Sequence, residues 1–322
     1  MLKVPLPEDG YDVVIVGGSL AGLQAALTLG RACRWILAID DSHPRNAPAS
    51  RVNNFLGHDG LAPDQLLSRA RAMLQPLDVT IKQDRAVDAE PMPGGGWLVR
   101  GRSGQRWEAR AVLLATGLLD GLPDIPGLAP LWGSSVVACP HCHGWELRGE
   151  PLAQIGLPGT LGRTVERALL LSRWSQDVVL LTQGEELDDD QVTHLRRASV
   201  AVETRELVGV ARTAAQLTLT LADGDCLDRR AIFVSPGQRQ QTALAQRLGC
   251  RVRDAAGAGA LEVDPVGRTS VPGVWAAGTT AQPALLGIAA VGAAAMVAVA
   301  LHAALLEDEL LPAATDERRP IV

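Results

Sequence analysis

The sequence predicts an α/β chain with two strand–helix–strand units, the second carried on a domain inserted into the first. Three observations carry this. The run Asp12 to Gly17 (DVVIVG) enters a glycine-rich turn, a helical stretch and another strand; the same order recurs from Leu152; and an apolar strand, Val274 to Gly278 (VWAAG), returns after it. At 322 residues and roughly 150 per domain, two domains are expected. A content of 47% hydrophobic against 20% charged residues excludes a mainly disordered chain. Thirty Lys and Arg against 36 Asp and Glu leave a net charge of −6. With no cationic excess to neutralise a phosphate backbone, no nucleic-acid partner is expected.

In the first unit, Gly17, Gly18, Ser19 and Gly22 shape the turn into the helical stretch Leu20 to Arg31, and Trp35 to Ile39 forms the next strand, closed by Asp40. Such a turn lets the backbone approach a pyrophosphate. The helix start offers unpaired N–H groups and a positive dipole end, and an acid after the following strand takes ribose hydroxyls. Asp40 lies 23 residues after Gly17. The middle position of the usual G-x-G-x-x-G is Ser19, small enough for the turn and able to donate to phosphate.

Residues 97 to 116 read as short strands around Gly101 and Gly104, ending in the apolar run Ala111 to Ala115 and then Thr116-Gly117. Pro123, Pro126 and Gly127 mark a boundary. The second unit comprises strand Leu152 to Gly156, helix Thr160 to Trp174 and strand Val178 to Thr182. Hairpin-like strands at Leu217 to Leu221 and a strand at Ala231 to Ser235 follow, and the insert ends near Gly237. The expected division is a discontinuous domain of residues 1–117 and 238–322, with 118–237 inserted.

The opening residues, Met1 to Gly10, mix charges and prolines without an apolar run, so a secretory leader is not expected and a cytoplasmic location is. From Thr269 to Leu306 there is no Asp, Glu, Lys or Arg, a length that meets the transmembrane criterion. Its high Ala and Gly content suits close helix packing in a core instead, and no membrane association is expected.

Five cysteines in a long chain do not make a disulfide framework. Cys33, Cys226 and Cys250 are isolated and read as structural. Cys139-Pro140-His141-Cys142 places two thiols within one turn, a spacing that commonly lowers the pKa of one of them. Half of a zinc site and two inert buried thiols are the competing readings, and zinc would need two further ligands. Redox chemistry is favoured. Because thiolate is the nucleophile, a base is needed, and His143, next to Cys142, is the first candidate; His141, inside the pair, is placed second. Trp132, Trp145 and Phe55 are candidates for an apolar pocket.

With these motifs in view, the chain resembles the low-molecular-weight thioredoxin reductase family over nearly its whole length. The likeness rests on GGSLAG at 17–22, RNAPASRVNNFLGHDG at 45–60, ATG at 115–117, CPHCHG at 139–144 and GVWAAG at 273–278. Within that family it looks most like the FAD-dependent dithiol oxidases, which close intramolecular disulfides in natural products such as gliotoxin, holomycin and a depsipeptide. In these the C-x-x-C is followed by His, where thioredoxin reductases have Asp. The resemblance implies a three-layer, Rossmann-like flavoprotein with two dinucleotide-binding-type domains, and a homodimer. It implies FAD held at Gly17, Ser19, Gly22, Asp40, Arg45, Asn54, Thr116, Gly117, Gly278 and Thr279. Thr279 stands where the family usually has an Asp for the flavin ribityl chain. It also makes Cys142 the thiol nearest the flavin and Cys139 the one that exchanges with substrate.

The second turn departs from a working NADPH site. It reads Gly156-Leu157-Pro158-Gly159-Thr160-Leu161, with Pro158 where a middle glycine should allow close approach, and proline removes an N–H donor. The following strand leads to Glu185, Glu186, Asp188, Asp189 and Asp190, with no arginine before Arg196. Those carboxylates repel a 2′-phosphate. NADPH is therefore expected neither to bind nor to be oxidised; an NADH site using Glu185 is the competing reading.

The expected function is oxidation of a small-molecule dithiol to an intramolecular disulfide. Electrons pass through the Cys139/Cys142 disulfide and FAD to O2, giving H2O2. One alternative is a thioredoxin reductase-like disulfide reductase with a donor other than NADPH. Another is a non-catalytic scaffold that keeps the fold, against which the intact C-x-x-C-H weighs.

Overall fold

The computed structural model describes residues 10–214, 216–241, 243–253, 259–283 and 286–310. The segment 1–9, on which the absence of a leader was read, lies outside the described residues. In chain order, β1 (Tyr11–Val16), α1 (Leu20–Arg31) and β2 (Ile36–Asp40) form the first strand–helix–strand unit. There follow α2 (Pro63–Leu74), β3 (Val79–Gln83), the ribbon β4 (Ala86–Pro91) and β5 (Trp97–Gly101), and the long β6 (Arg106–Leu114). The chain then runs through β7 (Leu118–Gly121) and β8 (Val136–Val137) to the one-turn helix α3 (Pro140–His143). Next come β9 (Leu152–Gly156), α4 (Leu161–Leu171), β10 (Val178–Leu181), α5 (Asp189–Arg197) and β11 (Ala201–Glu203). A meander of β12 (Leu207–Arg212), β13 (Leu217–Leu221) and β14 (Cys226–Arg229) precedes β15 (Ala231–Ser235) and β16 (Gly237–Gln240). Last are α6 (Ala243–Arg247), the short β17 (Val252–Arg253) and β18 (Ala260–Leu261), β19 (Val274–Ala276) and α7 (Gly287–Leu310).

The first sheet has seven strands in the order β3-β2-β1-β6-β5-β4, with β19 parallel on β6. β1 sits between β2 and β6, Val14 opposite both Leu37 and Val112. Because both its faces are covered, its run is continuously apolar rather than alternating. On one face Val13, Ile15 and Leu113 pack with Leu29 of α1, Leu67 of α2 and Ala298 and Leu301 of α7. On the other, Val14 and Val112 pack with Trp97 and Val99 of β5 and with Leu244 of α6. The α/β, three-layer arrangement expected from the sequence is what the chain adopts.

The second sheet is parallel, β11-β10-β9-β15-β8, and the meander forms a separate three-stranded sheet. The chain leaves the first sheet through β7 and comes back through β16, and these two strands pair antiparallel.

Helix α7 is long and apolar enough to cross a membrane by length and composition. One of its faces packs in the core through Ala294, Val297, Ala298, Leu301 and Leu305. Its last turn is tied down by charge. Glu309 accepts from Arg34 and Arg110, both of which also reach Asp12, and Arg34 donates to His302. These bonds, that from Arg34 first, pull the Glu309 carboxyl down to about 2. The opposite face stays apolar and exposed, with Met296 70%, Val299 55% and Leu310 74% accessible.

Candidate active site

A cavity of about 260 Å3 opens at the carboxyl ends of β1, β2 and β6, where open α/β sheets bind ligands. Its wall includes Gly17, Gly18 and Ser19 after β1, Asp40 ending β2, and Ala115 to Leu118 after β6. Cys139, Cys142 and His143 close one side, and Leu286, Gly287 and Ala290 at the start of α7 another.

The turn into α1 is shaped by contact. Gly17 has φ +111°, and a Cβ there would lie 2.3 Å from the Ala115 carbonyl oxygen. A Cβ on Gly22 would lie 1.8 Å from the Gly17 carbonyl oxygen, so α1 can begin this close to the strand only without a side chain. Ser19 is the N-cap residue of α1 but makes no side-chain capping bond, which leaves its hydroxyl to the cavity. Asp40 accepts from the Ser42 N–H at 3.1 Å and from Arg71 at 2.7 Å.

Gly117 (φ +69°) donates its N–H to the buried Thr280 hydroxyl at 2.8 Å, and Gln241 donates to the Thr116 carbonyl at 2.9 Å. Thr279 lines the cavity while its carbonyl accepts from Gln240 at 2.6 Å. Arg45 also lines the cavity and makes a fork to Asp120, at 2.7 and 2.6 Å. A side-chain-free turn, a helix start, a ribose-type acid and exposed backbone after β6 thus meet in one elongated space. That donor set fits a flavin dinucleotide.

Of the expected positions, Gly17, Ser19, Asp40, Arg45, Thr116, Gly117, Cys139, Cys142, His143 and Thr279 line the cavity. Gly22 and Gly278 stand behind it; a Cβ on Gly278 (φ +68°) would lie 2.6 Å from the Ala21 methyl. The structure does not bring Asn54 to the cavity. Asn54 is in a left-handed turn (φ 58°) with its N–H on Asp59, and its neighbour Asn53 faces inward instead.

Cys139 and Cys142 are joined as a disulfide, Cα to Cα 5.2 Å. Cys139 precedes α3, whose first residue is Pro140, a ring preset for the first helical position. The motif ends in Gly144 because a Cβ there would lie 2.7 Å from both the Pro140 carbonyl oxygen and the Trp174 ring. The Asn53 amide donates to the Cys142 carbonyl at 2.9 Å, tying the disulfide turn to the loop between β2 and α2.

The His143 Nδ1 lies 3.3 Å from the Cys139 carbonyl oxygen. A carbonyl only accepts, so Nδ1 carries the proton and Nε2 is the basic atom. Burial pushes the His143 pKa down, opposed by that bond and by Glu146. His141 is exposed and set edge-on to Trp174 at 5.7 Å, away from a role in the cavity wall. Trp132 does line the cavity, Phe55 is buried beside Gly287, and Trp145 is 65% exposed under the Arg148 guanidinium. Cys250 is buried, while Cys33 and Cys226 are exposed rather than packed.

In the second turn, Gly156 packs tightly on the start of α4: a Cβ there would lie 2.1 Å from the Thr164 hydroxyl and 2.5 Å from that of Thr160. Part of the acidic run has a local structural use. Asp188 caps α5 in a reciprocal box with Gln191, and Asp189 and Asp190 fill its first turn.

The sequence profile of the pyridine nucleotide-disulphide oxidoreductases matches residues 11–300. A probable thioredoxin reductase of Arthroderma benhamiae is 27% identical, covering 97% of this chain and 84% of its own. The crystal structure of HlmI is 36% identical with a TM-score of 0.87, covering 94% of this chain and 95% of its own. An oxidoreductase structure from Agrobacterium tumefaciens is 35% identical with a TM-score of 0.86, covering 92% of this chain and 99% of its own.

Proposed function

The chain belongs to the pyridine nucleotide-disulphide oxidoreductase family, as a thioredoxin reductase-like flavoprotein oxidoreductase, and from this premise we propose that it oxidises a small-molecule dithiol to an intramolecular disulfide. The observation that carries the reading is the Cys139–Cys142 disulfide with the His143 imidazole in the wall of the cavity that fits FAD. Gly17, Gly18, Ser19, Asp40, Thr116, Gly117 and Thr279 would hold that cofactor. FAD, when bound, supplies a two-electron acceptor for the reduced cysteine pair, with O2 as terminal acceptor and H2O2 as product.

The protein's own steps are thiol–disulfide exchange. His143 Nε2 takes the proton of a substrate thiol, and the thiolate attacks Cys139 Sγ. The bond to Cys142 Sγ breaks and Cys142 leaves as thiolate. The second substrate thiol then gives its proton to the Cys142 thiolate and attacks the substrate sulfur held on Cys139, which leaves as thiolate. This forms the product disulfide and leaves the two cysteines reduced by two electrons. Cys139 is only 7% exposed and Cys142 half-buried, so attack at Cys139, the order the family resemblance implies, proceeds from within the cavity.

Two features favour this reading over NADPH-driven disulfide reduction: Pro158 in the second turn, and the acidic run Glu185 to Asp190 with no arginine before Arg196 to hold a 2′-phosphate. The reductase reading is favoured by the name of the Arthroderma relative. We further propose a cytoplasmic homodimer whose second copy covers the exposed Met296 and Val299 face of α7.

The deciding experiment measures oxygen uptake and peroxide with FAD-loaded protein and a small dithiol, beside a NADPH-plus-thioredoxin assay. Dithiol-dependent uptake that disappears in Cys139→Ser supports the oxidase. No uptake, together with thioredoxin reduction by NADPH, overturns it in favour of a reductase.

A further inference from the structure

Arg167, in the middle of α4, turns toward the segment that leads into the disulfide turn. Its Nη1 donates to the Ala138 carbonyl at 3.3 Å and to the Val234 carbonyl at 3.1 Å. Ala138 immediately precedes Cys139 and lines the same cavity; Val234 lies on β15 in the second sheet. The guanidinium therefore pins the residue before Cys139 to the sheet on which the inserted domain is built.

Its charge is not neutralised locally. Both hydrogen bonds go to main-chain carbonyls, and no carboxylate makes an ion pair with it among the described residues. Burial, followed by the like charges of Arg163 and Arg45, lowers its pKa, with Asp120 opposing. Asp120 is already held in a fork by Arg45. A guanidinium nonetheless stays protonated at any physiological pH, so a permanent cation stands against the carbonyl of Ala138, the residue before Cys139. Two carbonyls need only neutral donors, and the charge itself asks for a use.

A nearby cation favours thiolate over thiol. Stabilising the reduced form of a cysteine pair makes its disulfide the stronger oxidant. We propose that Arg167 is a positioning residue that acts through Ala138 on Cys139, and that its charge stabilises the reduced Cys139/Cys142 pair and so makes this disulfide a stronger oxidant of substrate thiols. The inference rests on the reading that the disulfide is redox-active, and it specifies the direction: the protein disulfide is poised to accept electrons from a dithiol.

The test equilibrates the holoprotein anaerobically with dithiothreitol buffers of graded redox ratio, followed by acid quench and mass-spectrometric counting of alkylated cysteines. The pH dependence of iodoacetamide alkylation of the reduced protein gives the second readout. Arg167→Gln keeps an amide donor for the carbonyls but loses the charge; its equilibrium constant for reduction should fall about tenfold, near 30 mV. Its alkylation midpoint should rise by about one pH unit, the same factor of ten. Arg167→Lys keeps the charge and should stay within about threefold of wild type. Arg167→Met replaces the Gln variant should that one fail to fold. A charge-free variant with wild-type equilibrium and alkylation profile, or a Lys variant shifted as far as the charge-free one, overturns the proposal. A wild-type disulfide that no dithiol buffer reduces overturns the functional reading beneath it.

Discussion

The Asn53 side-chain amide donates to the Cys142 carbonyl oxygen at 2.9 Å across 89 positions of sequence. Through this bond, the loop that follows β2 holds the disulfide turn against the cavity. Replacing Asn53 with Ala removes the tether and leaves α3 free to drift from the cofactor space. We expect flavin reduction by a dithiol to slow about fivefold, the equivalent of one hydrogen bond of about 1 kcal/mol. The melting temperature should barely move. Stopped-flow bleaching of the flavin checks this, and an unchanged rate would remove the tether from the account.

His143 is neutral near pH 7 because burial holds its pKa below the usual 6.5. The base is therefore present above that depressed value and lost as pH falls through it. The rate should be flat near neutrality with an acid limb placed below pH 6.5. His143→Gln should lower the rate about a hundredfold and abolish that limb. Stability follows the same sign: the unfolded imidazole takes its proton first, so the wild type loses stability as pH drops below 6.5 and the Gln variant lacks that component. A Gln variant with the wild-type pH profile would acquit His143 of base catalysis.

Gly22→Ala forces a methyl to within 1.8 Å of the Gly17 carbonyl oxygen unless α1 moves. Overpacking of this kind costs about 1–3 kcal/mol, and here the shift opens the turn that faces the cofactor. The ratio of bound flavin to protein, read from absorbance after purification, should fall several-fold. Full flavin content in this variant would contradict the cradle described for the turn.

Met296→Glu or Val299→Glu places a carboxylate on the exposed apolar face of α7, whose other face is packed in the core. Sedimentation should show the wild type as a dimer and the variants as monomers that retain their helical signal. Dimers that persist unchanged would move the interface elsewhere.

Legibility followed range. The first strand–helix–strand unit, the redox pair and its histidine are written in short contiguous motifs, and these were readable. Thr280 binds Gly117 across 163 positions, Arg71 reaches Asp40 across 31, and Arg167 reaches Ala138 across 29. Each depends on how separate elements pack, which no local spacing encodes. In the pair Asn53-Asn54, only the backbone decides which amide turns inward; the left-handed conformation at Asn54 settles it. The acidic run after β10 reads from sequence only as repulsion toward a phosphate, and its capping of α5 emerges once the helix start is located.

Because β19 and α7 follow the second sheet in sequence yet complete the first sheet and cover α1, the first sheet cannot be fully covered until residues 274–310 have been made. The second sheet, whose strands all fall between 136 and 235, can be completed before that. During synthesis the later segment therefore folds ahead of the earlier one. The apolar side of α1, including Ala26 and Leu29, waits uncovered until α7 has been made.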